Sequence, residues 1–131
     1  MKLGRPKGYE YFGLKFRSKV EAYFFAKIMN TGAYVVRYQH FIVMKGFIYR
    51  QEKIKPIKVK VDYVIYKNKK KDVKDIIAMV HYGRMDSNDK ALLFQYMKLS
   101  NITPPLLKLE TKSEVDIFCE KIEKVLGKKI N

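Results

Sequence analysis

Apolar and polar residues recur with a helical period in three stretches of the chain, which predicts three amphipathic helices. The first begins after Ser18, which together with Glu21 matches the capping pattern of a helix start, and it ends at Asn30-Thr31-Gly32. The second covers Lys90–Leu99, and the third follows Thr111 and continues to a glycine stop. These helices separate two stretches that have the pattern of strands.

The strand pattern is clearest in two segments between the first and second helices. Ile57–Tyr66 alternates apolar and polar residues, and Val73–Val80 has a nearly unbroken apolar centre, which is typical of a strand covered on both faces. Shorter strands are predicted at Ala33–Tyr38, at Leu106–Leu109 and in a hairpin of Phe41–Met44 and Phe47–Arg50 about Lys45-Gly46. With the hairpin counted once, the order α-β-β-β-β-α-β-α predicts a single α/β domain with a mixed sheet flanked by helices.

The segments between these elements are predicted as loops. Residues 1–15 are expected to form a basic N-terminal arm, and residues 16–131 the domain itself. Gln51–Pro56 is expected to be a polar connection. Lys67–Lys71 is expected to be a turn in which Asn68 takes the left-handed conformation.

Composition narrows the classes of protein. The 131 residues include 28 Lys and Arg against 13 Asp and Glu, a formal net charge of +15, while 47% are hydrophobic, too many for a disordered basic tail. The lone Cys119 excludes a disulfide framework within the chain and fits a reducing, cytoplasmic location, which for a viral protein means inside the host cell. No apolar run approaches a membrane span and the N-terminus lacks a signal-peptide core, so the expected partner is nucleic acid and not a membrane.

Three acidic residues occupy positions that could carry chemistry. Glu21 lies on the first predicted helix, Asp62 lies within a strand, and Asp75 stands at the head of an apolar strand, where a carboxylate is costly unless it is paired. If the turn between the two strands centres on Asn68-Lys69, Asp62 faces Asp75 across the hairpin. Two such carboxylates favour Mg²⁺ or Mn²⁺, which would activate water against a phosphodiester. Each acid also has a structural alternative, since Glu21 is sufficient as a helix cap and Asp62 as a surface strand residue paired with lysine.

The segment from Phe16 to Ser100 resembles the PD-(D/E)XK nuclease superfamily, with its branch of phage endonuclease I and Holliday-junction resolvases the most similar in pattern. The resemblance rests on Phe16-Arg17-Ser18-Lys19-Val20-Glu21, on Asp62 in a V-D-Y context and on an acidic strand after a short hairpin. It implies a restriction-endonuclease-like fold in which Glu21, Asp62 and Asp75 hold Mg²⁺ or Mn²⁺ and a lysine assists catalysis. It also implies action on branched or structured DNA in phage or mobile-element recombination, by a homodimer.

The chain departs from the superfamily pattern in its third motif. Read from Asp75, the lysine position holds Ile77; read from Asp72, the motif is complete with Lys74. In the first register Lys60, two residues before Asp62 and on the same strand face, would be the substitute cation. The Ile77 departure favours the alternative function, a catalytically inactive nuclease-fold module that binds DNA or another protein.

Basic residues outside these motifs are the predicted phosphate contacts. They lie in the arm, around the first helix, in the lysine-rich turn and near the second helix: Lys7, Lys15, Arg17, Lys19, Lys69, Lys70, Arg84 and Lys90. The sequence therefore predicts a cationic α/β domain for DNA, with a metal-dependent endonuclease as the first hypothesis.

Overall fold

A computed structural model describes residues 9–11 and 13–127, and for Tyr9 and Tyr11 it describes the backbone alone. The chain divides into two compact units. The helical unit comprises the described residues up to Val35 together with those from Lys108 onward, and the sheet unit runs from Val36 to Leu107.

The helical unit contains a small hairpin and two helices. Strands β1 (Tyr9–Tyr11) and β2 (Leu14–Phe16) pair antiparallel, and helices α1 (Lys19–Met29) and α3 (Lys112–Val125) contact each other. The hairpin replaces the irregular arm that the sequence predicted over residues 9–15, while residues 1–8 and 12 lie outside the described part.

Apolar side chains of both helices form the core of the helical unit. The rings of Phe24 and Phe118 have centroids 6.1 Å apart, and Ile28, Val115 and Ile122 are buried. Burial of these side chains supplies the hydrophobic stabilisation of the unit.

Local hydrogen bonds fix the starts of both helices, as predicted. Ser18 Oγ accepts from the backbone N–H of Glu21 at 3.1 Å. In α3 the capping box is complete, because Thr111 Oγ1 accepts from Glu114 N–H while Glu114 Oε1 accepts from Thr111 N–H, both at 3.1 Å.

The sheet unit is built on a mixed sheet of four strands, in the order β3-β6-β7-β8. These strands are β3 (Tyr34–Met44, which begins at the end of the helical unit), β6 (Ile57–Tyr66), β7 (Ile76–Val80) and β8 (Leu106–Leu107). β6 and β7 are antiparallel, whereas β7 and β8 are parallel and joined by helix α2 (Ser87–Leu99). The mixed sheet and the three α-helices of the described residues confirm the predicted α/β class. The restriction-endonuclease-like form stays a prediction.

A second, two-stranded sheet replaces the predicted hairpin about Lys45-Gly46. β4 (Phe47–Tyr49) pairs antiparallel with β5 (Glu52–Ile54), so the expected polar connection contains a strand. The turn is Arg50-Gln51, where both residues have positive φ (48° and 71°), as a two-residue I′ hairpin turn requires. β3 continues instead to Met44.

Two further predictions are wrong at the turn after β6. The residue with a positive φ is Lys71 (56°), and not Asn68. Val73–Asp75 forms a single 3₁₀ turn capped by Asp72, so the strand begins only at Ile76.

Candidate nucleic-acid interface

Asp62 is a buried carboxylate that accepts hydrogen bonds from the backbone. It lies in β6, where both strand faces are covered from Val61 onward, and it is only 5% exposed. Its Oδ2 accepts from the N–H groups of Tyr82 and Gly83, both at 2.8 Å. Consecutive backbone N–H groups form a concavity suited to an anion. Asp62 therefore holds the segment that follows β7, where the chain leaves the sheet.

The pairing of β6 with β7 separates the two predicted strand carboxylates. Tyr63 faces Val80, and the backbone N–H of Lys67 donates to the carbonyl oxygen of Asp75 at 2.9 Å. Asp62 and Asp75 are therefore at opposite ends of the hairpin, separated by five residues of strand, roughly 16 Å. The prediction that Asp62 faces Asp75 is wrong, because the long turn shifts the register from the one that a turn at Asn68-Lys69 gives.

The alternative third motif, Asp72 with Lys74, lies at the same end of the β6–β7 hairpin as Asp75, in the turn that joins the two strands. Asp72 and Lys74 are exposed in the 3₁₀ turn, where Asp72 Oδ1 accepts from the Lys74 backbone N–H at 3.0 Å. Asp75 Oδ2 lies 3.4 Å from the side-chain amide of Asn68. The carboxylates of this turn thus contact the turn itself.

Glu21 is fully buried at the start of α1 in the helical unit. Its Oε1 accepts from the Arg17 backbone N–H at 2.9 Å. This hydrogen bond and the Ser18 cap satisfy backbone donors before the helix ladder begins. The geometry fits the capping alternative for Glu21.

The predicted metal ligands of the sheet unit do not fit a shared divalent ion. Oxygen ligands must converge within about 2–2.6 Å of one cation, and Asp62 and Asp75 lie beyond opposite ends of β7. Over residues 9–11 and 13–127, no group of three His, Cys, Asp or Glu side chains is arranged to hold a metal ion.

Most of the predicted phosphate contacts are exposed to solvent. In the sheet unit these are Lys69, Lys70, Arg84 and Lys90, and in the helical unit Lys15, Arg17 and Lys19. Lys7 lies outside the described residues. At the start of α2, Asp86 Oδ1 already accepts from the Asp89 N–H at 2.8 Å, so this donor is not available to a phosphate.

Positive charge in the sheet unit is concentrated at the two ends of β6. The unit carries fifteen Lys and Arg against six Asp and Glu, an excess of nine positive charges. Four lysines lie between Lys53 and Lys60, and five lie between Lys67 and Lys74 with one aspartate among them. All nine side chains are exposed.

An aromatic residue with two cations lies next to the first of these lysine groups, and sequence reasoning missed it. Tyr38 is 40% exposed and has a positive φ of 59° within β3. The Arg37 guanidinium carbon lies 4.6 Å from its ring centroid, and Lys60 Nζ lies 5.2 Å from the same centroid. No residue pattern marks such a backbone conformation, because bulky side chains rarely adopt it.

The β4–β5 hairpin exposes apolar residues beside basic ones. Phe47, Ile48 and Tyr49 are 50–75% exposed, and Lys53 on the facing strand is exposed as well. Gly46 enters this hairpin so closely that a Cβ there would lie 2.8 Å from the Ile54 carbonyl oxygen.

A charged cluster joins the two helices of the helical unit. The Tyr23 hydroxyl donates to Asp116 Oδ1 at 2.6 Å, and Lys27 Nζ lies 3.5 Å from the same oxygen. The hydrogen bond from Tyr23 lowers the pKa of Asp116 and raises the pKa of Tyr23. The Tyr23 phenolate, once it forms, and the Asp116 carboxylate raise the pKa of Lys27.

Cys119 packs in the core of the helical unit, on the buried face of α3. Burial raises the pKa of its thiol to about 11. The side chain therefore stays protonated and unreactive near neutral pH.

Comparisons with family models, with curated proteins and with solved structures give no significant match. The described residues include no helix that is long and apolar enough to cross a membrane. The functional assignment therefore depends on the geometry and charge of this chain.

Proposed function

We propose that the sheet unit binds DNA through its exposed lysines and does not hydrolyse it. This is the inactive, DNA-binding alternative that the Ile77 departure favours. The observation that carries the proposal is the excess of nine positive charges, with exposed lysines at both ends of β6.

The spacing of the lysines suits an extended polyanion. From Lys60 to Lys67 the strand advances by seven residues, roughly 23 Å, which corresponds to about seven base pairs of a duplex. Each lysine that neutralises a phosphate releases a condensed counterion, so binding would be strongly dependent on salt.

The arrangement of the carboxylates supports binding without hydrolysis. Asp62 accepts from two backbone N–H groups of its own chain, and Asp75 lies at the other end of the hairpin. The position expected for the assisting lysine holds Ile77. Lys74 is exposed in the 3₁₀ turn that precedes β7.

A metal-dependent endonuclease is the second candidate. One observation favours it: Glu21 and Asp62, the first two acids of the resembled motif, are both buried, which is unusual for carboxylates. The restriction-endonuclease-like fold, the homodimer, and the role in phage or mobile-element recombination belong to this candidate.

Binding and cleavage assays on the same DNA separate the two candidates. A fluorescent 20-base-pair duplex and a four-way junction are titrated with the protein in EDTA, and a supercoiled plasmid and the junction are incubated with it in Mg²⁺ and in Mn²⁺. We expect binding in EDTA and no cutting with either ion. An RNA duplex of the same sequence serves as a competitor.

Three results would overturn the proposal. One is the absence of DNA binding at low salt. The second is tighter binding of the RNA, which would assign the surface to RNA. The third is Mg²⁺- or Mn²⁺-dependent cutting that is lost in Asp62→Asn while this variant still folds and binds, which would establish the endonuclease.

A further inference from the structure

Tyr38 has a backbone conformation that is costly for an aromatic residue. Its φ of 59° falls in the left-handed region, where the Cβ of an L-residue crowds the backbone. Glycine would relieve this strain at once, yet the chain has tyrosine there. Strained positions of this kind persist where the side chain is held in place for a purpose, and they cluster at ligand sites.

The neighbours of Tyr38 hold its ring in position. Arg37 contacts two rings, with its guanidinium carbon 4.6 Å from the Tyr38 centroid and 5.6 Å from that of Tyr63. Tyr63 is completely buried and packs edge-on against Tyr82, with centroids 6.2 Å apart. Arg37 therefore links the exposed ring to a fixed part of the sheet, which reduces the entropy lost when a ligand binds.

Tyr38, Arg37 and Lys60 form a surface patch, called here the Tyr38 patch. It combines the two groups that bind a nucleotide, an aromatic ring for the base and a cation for the phosphate. Tyr38 keeps 40% of its surface exposed with both cations over its ring, and movement of Lys60 away from the ring would free aromatic surface for a base. Lys60 has a long flexible side chain that can move from the ring to a phosphate, and it belongs to the lysine group at the start of β6. Aromatic rings beside cations are the recurring elements of surfaces that bind single strands.

We infer that Tyr38, with Arg37 and Lys60, stacks on an unpaired nucleobase, so that this protein binds single-stranded DNA, or DNA with an unpaired base, more tightly than a fully paired duplex. The inference rests on the proposed DNA-binding function and names its substrate class. A duplex keeps its bases stacked on one another and offers the Tyr38 ring no exposed base face.

The test uses the full chain and a single-stranded 12-mer carrying 2-aminopurine, whose fluorescence is quenched when an aromatic ring stacks on it. We compare Tyr38→Leu, which removes the aromatic ring, with Tyr38→Phe, which keeps it. Tyr38→Gly also lacks the ring but relieves the backbone strain. Circular dichroism and urea unfolding establish that each variant folds, and we expect Tyr38→Gly to be the most stable of the three.

The expected result is quenching with wild type and Tyr38→Phe, and its loss with Tyr38→Leu and Tyr38→Gly. Affinity for the 12-mer should fall about 5- to 150-fold in those two variants, whereas affinity for the duplex of the same sequence should change by less than about twofold. Lys60→Gln should weaken binding of both DNAs and reduce the salt slope by about one.

Undiminished quenching and affinity in Tyr38→Leu would overturn the inference. If wild type still binds the duplex with a steep salt dependence, the DNA-binding proposal stands without the stacking residue. If wild type binds neither the 12-mer nor the duplex, the proposed function fails, and the inference fails with it.

Discussion

Replacing Asp62 tests whether this buried carboxylate is part of the scaffold. In Asp62→Ala, the N–H groups of Tyr82 and Gly83 lose an acceptor at 2.8 Å. An unsatisfied buried donor costs about 1–3 kcal/mol. Asp62→Ala leaves two such donors without their acceptor, but water reaches this half-buried segment in part. We therefore expect the free energy of unfolding to fall by about 2–4 kcal/mol. Asp62→Asn keeps an oxygen acceptor and loses only the charge, so we expect about 1–2 kcal/mol for it.

Urea unfolding followed by circular dichroism measures these losses. With a denaturant slope of about 1–3 kcal/mol per molar, the midpoint of Asp62→Ala should shift down by about 1–2 M. Asp75→Ala is the matched control, because the hydrogen bond of the Asp75 carboxylate within residues 9–11 and 13–127 is a long one, 3.4 Å from the Asn68 amide, and we expect a change within about 0.5 kcal/mol. If Asp62→Ala is as stable as wild type, or more stable, the scaffold role is refuted. That result would favour a carboxylate kept for function even though it does not stabilise the fold.

Three further predictions concern the helical unit and the hairpin. Cys119 in the folded protein should react with Ellman's reagent at pH 8 at least about 100-fold more slowly than in urea, because a pKa of about 11 leaves little thiolate; similar rates in the two states would contradict this. Tyr23→Phe should lower the thermal midpoint between pH 5 and 9. Since the pKa of Asp116 is lowered and that of Tyr23 raised, the difference from wild type should shrink as pH falls through the lowered pKa and as it rises through the raised one; a pH-independent difference would count against it. Gly46→Ala should cost about 1–3 kcal/mol in urea unfolding, since its Cβ meets the Ile54 backbone at 2.8 Å, and an unchanged midpoint would show that the hairpin yields.

Local signals made the helices predictable from the sequence. The caps of α1 and α3 join residues only three positions apart, Ser18 with Glu21 and Thr111 with Glu114. The residue types at these positions are therefore enough to predict the caps. The alternation of Ile57–Tyr66 gave the bounds of β6 as observed.

Pairing between distant segments was not predictable in the same way. The turn Arg50-Gln51 contains neither glycine nor asparagine, so nothing in its residues marks the β4–β5 hairpin. The partners of Asp62 are backbone N–H groups some twenty residues away, which any residue types could supply. The register that separates Asp62 from Asp75 follows from a long turn whose 3₁₀ segment has no clear signature.

The site was predictable in its charge but not in its geometry. The excess of lysine predicts a polyanionic partner, because net charge depends on composition alone. The Tyr38 patch depends on a positive φ and on Lys60 reaching across from another strand, neither of which is encoded in neighbouring residues.

The salt dependence of DNA binding tests the central claim most directly. We compare wild type with a triple variant of the turn after β6, Lys67→Gln, Lys69→Gln and Lys70→Gln. The matched control, Lys108→Gln, Lys121→Gln and Lys124→Gln, removes the same charge from exposed positions in the helical unit. The slope of log Kobs against log salt is measured for each with the same duplex. The turn variant should lose about 2–3 from the slope, close to one for each lysine, and the control less than about one. Equal slopes for the turn variant and wild type, or the larger loss in the control, would contradict DNA binding by the sheet unit.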